Sequence, residues 1–133
     1  MVHTFDEEKQ NRRLEELLQK EGEDLAMTLS GKYGLQYLDL SKISINTDAL
    51  RLLPEAGARE GKLAVFDIVN RKLSVGVLSP QNHKTLQILQ WLKDKGFETV
   101  LFMVSEVSLE RAWTRYKEIS FASEVKAGVL DIS

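Results

Sequence analysis

Twelve of the nineteen residues from Asp6 to Asp24 are charged, and that run limits what the start of this chain can become. Eight acids (Asp6, Glu7, Glu8, Glu15, Glu16, Glu21, Glu23, Asp24) stand against four bases (Lys9, Arg12, Arg13, Lys20), a sum of −4. From about Phe5 to Tyr33 the residue types favour helix, with no proline and with glycine only at Gly22 and Gly31. The apolar residues make one thin stripe of Leu14, Leu17 and Leu18, continued by Leu25, Leu29 and Tyr33 at spacings of four. Glu8 with Arg12, and Glu16 with Lys20, are spaced as i,i+4 pairs on the wet side, each worth a few tenths of a kcal/mol. Such a helix cannot bury much of itself. The expectation is a projecting or loosely docked helix over residues 5–22, then a first packed helix over 23–33, ended by Gly34.

The energetics sharpen that expectation. Three fully buried leucines would contribute on the order of 5 kcal/mol, and ordering some eighteen residues opposes this by more. The charged segment is therefore expected to be mobile alone and to order against a partner through Leu14, Leu17 and Leu18. Its charge favours a basic partner surface, with association weakening as salt rises.

The remaining residues sum to +2, because the whole chain carries −2. At 133 residues and 43% hydrophobic it is one ordinary domain with a real core. No global charge favours nucleic acid or an anionic membrane. The absence of cysteine excludes disulfides and thiolate metal sites. No apolar leader and no run of about eighteen apolar residues is present, so a soluble, cytoplasmic chain without direct membrane insertion is expected.

Downstream, Tyr37 to Leu40 reads as a short extended piece. Asp48 is the expected cap of one or two helical turns carrying Ala49, Leu50, Leu52 and Leu53, stopped by Pro54. Lys62 to Val69 and Lys72 to Leu78 alternate as two strands, joined tightly at Asn70-Arg71, where asparagine tolerates positive φ. Residues 83–95 read as a helix with Leu86, Ile88, Leu89 and Leu92 inward, ended by Gly96. Thr99 to Val104 is nearly all apolar, the mark of a strand covered on both faces. Ser105 then caps a helix whose stripe is Leu109, Ala112, Trp113, Tyr116 and Ile119. The strand-helix-strand connection makes its two strands parallel. The expected fold is α/β (α+β), a small mixed three-stranded sheet packed with helices, in the order α-α-β-β-α-β-α.

A search for chemistry finds little. The nearest approach to a phosphate loop, Gly57 to Lys62, has the wrong glycine spacing, Leu63 where Ser or Thr is required, and a strand following it; it reads as a polar turn. Gly76, between Val75 and Val77, marks close packing on the sheet. His3 and His83 make neither a metal pair nor a triad, and Asp39 reads as a turn or cap residue. Trp113 sits mid-stripe as core, whereas Trp91 lies just outside its helix's buried arc and is a candidate contact residue with Leu14, Leu17 and Leu18. The hydroxyls and amides near Ser79 to Asn82 and Ser105, at the sheet's C-terminal edge, are the one place for a stand-alone enzyme or nucleotide module.

Several short segments carry a resemblance. They are Asp24-Leu25-Ala26 through Tyr33-Gly34-Leu35, Tyr37-Leu38-Asp39-Leu40, Leu53-Pro54, Leu73-Ser74-Val75-Gly76-Val77, Ser79-Pro80, Gly96-Phe97-Glu98 and Trp113-Thr114-Arg115-Tyr116. In this order they resemble the N-terminal domain of the bacterial ATPases that power type II secretion and type IV pilus assembly (the secretion system protein E family). Lys62 stands where the family commonly has proline, and Ser79 where it often has an acid. The resemblance implies a non-catalytic docking and regulatory domain at residues 23–119, preceded by a charged helical extension (1–22) and followed by a linker toward an ATPase region (120–133). It implies no catalytic residue and no cofactor in this segment. Implied partners are a cytoplasmic or membrane-associated platform protein, which would bring the domain to the inner face of the membrane, and the ATPase domains of its own chain in a hexamer. A subclass of the family binds cyclic di-GMP through an Arg-Leu-Gly motif. Arg13, Leu14, Leu18 and Gly22 fall on its spacing, but Glu15 replaces the first glycine, and neither the downstream glutamine nor a second copy is present.

Overall fold

In the computed structural model, which describes residues 2–119 and side chains from Gln10 onward, the first two expected helices are one. Helix α1 runs unbroken from Val2 to Tyr33. A glycine inside a helix costs only about 1 kcal/mol relative to alanine, so neither Gly22 nor Gly31 is enough to end it. The stop comes at Gly34, with φ of 68°, where the Leu35 N–H donates back to the Ser30 carbonyl at 3.0 Å. That left-handed residue and its reach across five positions close the helix as a Schellman turn. Among the described residues the expected Glu16–Lys20 ion pair is not formed.

After this turn come β1 (Gln36–Tyr37), a 3-10 turn (Leu40–Lys42), α2 (Thr47–Leu50) and α3 (Glu55–Glu60). The hairpin strands β2 (Leu63–Val69) and β3 (Lys72–Val77) follow, then α4 (His83–Asp94), β4 (Glu98–Met103) and α5 (Glu106–Thr114). The sheet has four strands in the order β1-β4-β3-β2, one more than expected. The addition is β1, whose Gln36 and Tyr37 lie parallel to Phe102 and Met103. Two residues are too few to show a period; β4 supplies the pairing. β3 and β4 are parallel, as the crossover required, and β2 is antiparallel to β3 with a bulge between Val65 and Asp67. Asn70 takes φ of 59° in the hairpin.

Local chemistry explains most element ends. Asn46, not Asp48, caps α2: its Oδ1 accepts from the N–H groups of Asp48 and Ala49. Helix α3 replaces the expected polar turn because Pro54 fixes its entry and Ala58 gives it a fully buried residue. Gly61 follows, where a Cβ would push the Ile88 Cδ1 methyl aside and lie 3.2 Å from the Gly57 carbonyl oxygen. Lys62 takes φ of 52°, which proline's ring forbids. On α4 the buried arc is Thr85, Ile88, Leu89 and Leu92, whereas Leu86 is 49% exposed. Thr85 displaces it because its hydroxyl donates to the Gly61 carbonyl at 2.6 Å and turns that side of the helix inward.

The core gathers Leu40, Leu50, Leu53, Leu63, Val65, Leu73, Val75, Leu92, Val104 and Leu109. Trp113 Nε1 donates to the Leu63 carbonyl at 3.0 Å, and Tyr116 Oη donates to the carbonyls of Leu50 (3.2 Å) and Leu53 (2.8 Å). These two aromatics tie α5 to β2 and to the α2–α3 corner. Strand β4 is not covered on both faces as expected. Thr99 to Phe102 are half-buried and only Met103 is fully so, because α1 closes over this side through one narrow face.

Candidate interaction site

Two faces of α1 differ in burial. The docked face is Gly22, Glu23, Ala26, Leu29, Ser30 and Tyr33, with Ala26 only 3% exposed against the β1–β4 side of the sheet. At its N-terminal limit Tyr37 Oη donates to Glu23 Oε1 at 2.5 Å. Burial, the hydrogen bond to Glu23 and the nearby carboxylates all push the Tyr37 hydroxyl pKa upward. It stays a neutral donor, and the short contact holds α1 to the sheet edge.

The other face carries Leu14, Leu17, Leu18 and Leu25, each 55–60% exposed. At 3.6 residues per turn these side chains gather on one side of the helix, Leu25 lying roughly 100° around from Ala26. Every residue from Gln10 to Glu21 is exposed. Because α1 runs antiparallel to β1, with Glu23 beside Tyr37, its first twenty residues extend past the C-terminal ends of the parallel strands by roughly 30 Å. The leucine stripe named from sequence is thus an apolar strip on an arm that reaches beyond the domain. Leu29 and Tyr33 belong to the docked face instead.

Arg13, Leu14, Leu18 and Gly22 share this helix but make no enclosure. The nearby hollow of about 390 Å³ is an open groove along one side of α1, lined by Arg13, Glu16, Leu17 and Lys20. At Gly22 an added Cβ would meet nothing within 4 Å beyond the helix's own backbone, so no contact among the described residues calls for glycine there.

At the sheet's C-terminal edge Asn82 and Ser105 serve as helix caps. Asn82 Oδ1 accepts from the N–H groups of Lys84 and Thr85, and Ser105 Oγ accepts from that of Ser108. The Asp39 carboxylate accepts from the amide and hydroxyl of Ser41. Burial pushes the Asp39 pKa up, but those two bonds, with Lys42 and Arg111 near, hold it below the usual carboxylate range. The described residues contain no group of three metal-ligating side chains and no buried side-chain polar atom without a partner. Among the described residues no helix is long and apolar enough to cross a membrane.

Trp91 is 37% exposed, with Lys95 Nζ 4.2 Å above its ring. Next to it the Arg71 guanidinium donates to the carbonyls of Gly96 (2.9 Å) and Lys95 (3.0 Å), closing the C-terminus of α4 over the Phe97 ring. Sequence reasoning missed Arg71 and the Glu23–Tyr37 pair. The placement of Arg71 after a left-handed Asn70 was the available signal; the Glu23–Tyr37 pair offered none, since only tertiary docking brings the two together.

The structure is thus an open four-stranded sheet flanked by helices, from which α1 extends with an exposed apolar strip. The MshEN domain model matches residues 33–122, and the chain belongs to that family, the N-terminal regulatory domain of secretion and pilus-assembly ATPases. Among solved structures, MshE with cyclic di-GMP ("cdg") is similar at 26% identity, covering 69% of this chain and 66% of that one, with a TM-score of 0.63. The alignment thus spans just under two thirds of that protein. The N-terminal domain of XpsE shares the fold at 13% identity, covering 86% of this chain and 92% of that one, with a TM-score of 0.57. No curated protein sequence matches the chain. The expected linker at residues 120–133 lies outside the described residues.

Proposed function

We propose that this chain docks a secretion or pilus-assembly ATPase to its platform protein and regulates it, with α1 as the docking element. One observation carries the reading: Leu14, Leu17 and Leu18 stand more than half exposed on a helix that the domain grips further along, through Glu23, Ala26 and Tyr33. A partner can therefore take the apolar strip without undocking α1. Three leucines and an arm charge of −2 over residues 2–21 suit a basic platform surface, and Trp91 offers a second contact. The test is titration of the cytoplasmic domain of the platform protein into the full-length ATPase. Replacing Leu14, Leu17 and Leu18 by serine should weaken binding at least tenfold, and raising salt should weaken the wild type. Unchanged affinity in the triple variant would remove α1 from the interface.

A second reading, a cyclic-dinucleotide-binding module, is favoured by the similarity to MshE solved with that ligand. Against it, the family match begins at residue 33, beyond Arg13 to Gly22, and Glu15 puts an anion where a phosphate would lie. Calorimetry with cyclic di-GMP decides it: micromolar heat lost in Arg13→Ala would establish this reading, and no heat would dismiss it.

A further inference from the structure

We infer that the α1 arm has a second occupant built into the fold: the basic hairpin end of another copy of this chain. The inference rests on the docking reading of the arm and names one surface it fits. That end of the sheet gathers Arg71 and Lys72 of the β2–β3 hairpin with Lys95 at the C-terminus of α4, opposed by Glu98. It encloses an open cleft of about 430 Å³ lined by Val69, Asn70, Arg71, Lys72, Gly96 and Glu98. Exposed apolar surface sits on the same end, Val69 at 63% and Trp91 at 37%. Cations beside open apolar side chains are the complement of exposed leucines on an arm, residues 2–21, whose six acids and four bases sum to −2.

Topology decides between one copy and two. The arm leaves from the C-terminal ends of the parallel strands, where Tyr37 pairs with Met103. The basic cleft is at their N-terminal ends, where Lys72 pairs with Glu98. The strands separate these ends by about 17 Å, and α1 leads away from the cleft, so no arm reaches its own cleft. The contact joins unlike surfaces of two copies, a head-to-tail arrangement that closes into a ring or continues as a chain. Pairing of two arms with each other is disfavoured by their shared negative charge.

Sedimentation of the 133-residue chain tests this. The wild type should associate with rising concentration at low salt and dissociate in about 0.5 M salt, where screening is nearly complete. Leu17→Asp should be monomeric, and so should Lys72→Glu combined with Lys95→Glu. All these side chains are exposed, and circular dichroism checks that each variant folds. Mixed together, the two variants should form a one-to-one dimer, since each keeps the surface the other lost. Association of the lysine variant at wild-type strength, or a wild type monomeric at every concentration, would overturn the inference. If the lysine variant still binds the platform domain while Leu17→Asp does not, the docking reading stands whatever self-association shows.

Discussion

Tyr116 shows how much of this fold hangs on single side chains. Its hydroxyl serves two carbonyls from the α2–α3 corner, Leu50 and Leu53, and its ring is 4% exposed. Tyr116→Phe should cost about 1–2 kcal/mol, read as a lower denaturant midpoint at unchanged slope. Burial raises this hydroxyl's pKa, with Glu55 adding to the rise. Its stabilisation is complete below the unfolded tyrosine value of about 10 and is lost as pH climbs through the higher folded value. The gap between wild type and Tyr116→Phe should therefore narrow above about pH 10. Asp39 runs the other way: its folded pKa is depressed, so its contribution is present above the unfolded value of about 3.9 and disappears on further acidification. Asp39→Asn should flatten the acid limb of the stability curve. At Gly76 an added Cβ would lie 3.0 and 3.1 Å from the two methyls of Val104, a β-branched side chain with little freedom to yield. Gly76→Ala should cost about 1–3 kcal/mol, visible as a lower melting temperature.

Among the elements, those with a full period were legible and those without one were not. The stripe Leu109, Ala112 and Trp113 gave α5, and Ser105 its cap, because nine residues are enough for a helical repeat to show. β1 was read only as an extended piece, since Gln36 and Tyr37 become a strand through Phe102 and Met103 rather than through their own pattern. Leu86 was placed inward by its apolar character, yet a hydrogen-bonding threonine beside it took the buried position. The candidate site was half visible. Leu14, Leu17 and Leu18 were found because charge isolates them, while the docked face was hidden, its buried centre being a single alanine. The Glu23–Tyr37 bond makes that face testable. Tyr37→Phe should raise amide hydrogen exchange along residues 23–33 several-fold, with little change in β2 and β3, because the deleted bond, worth about 1 kcal/mol, acts on α1 docking alone. Equal loss of protection throughout would show that α1 and the sheet open as one unit.

Over the whole molecule, the core and the arm are joined by one helix yet draw on separate sources of stability. Among the described residues, every large, fully buried side chain lies at or beyond residue 40, and α1 contributes only Ala26 to the buried set. Residues 10–21 are exposed throughout, so their helical state has no tertiary packing behind it. An isolated stretch of that length is marginal in water, with nucleation unfavourable and propagation near balance. The domain should therefore lose little when the arm is removed. A chain beginning at Gly22 keeps Glu23, Ala26 and the Tyr37 contact, and its melting temperature should fall within about 2 °C of the full chain's, given that surface changes shift stability by no more than about 0.5 kcal/mol. Its circular dichroism should lose less helix than twenty-one ordered residues would supply, because the arm is frayed in solution when nothing covers the leucines. A second truncation starting at Gly34 removes the docked face too and uncovers the half-buried residues of β4, and it should melt lower by several degrees. If both truncations melt alike, the docked face of α1 adds nothing to the fold; if the first already melts far lower, the arm is part of the core's stability and is not free to take a partner.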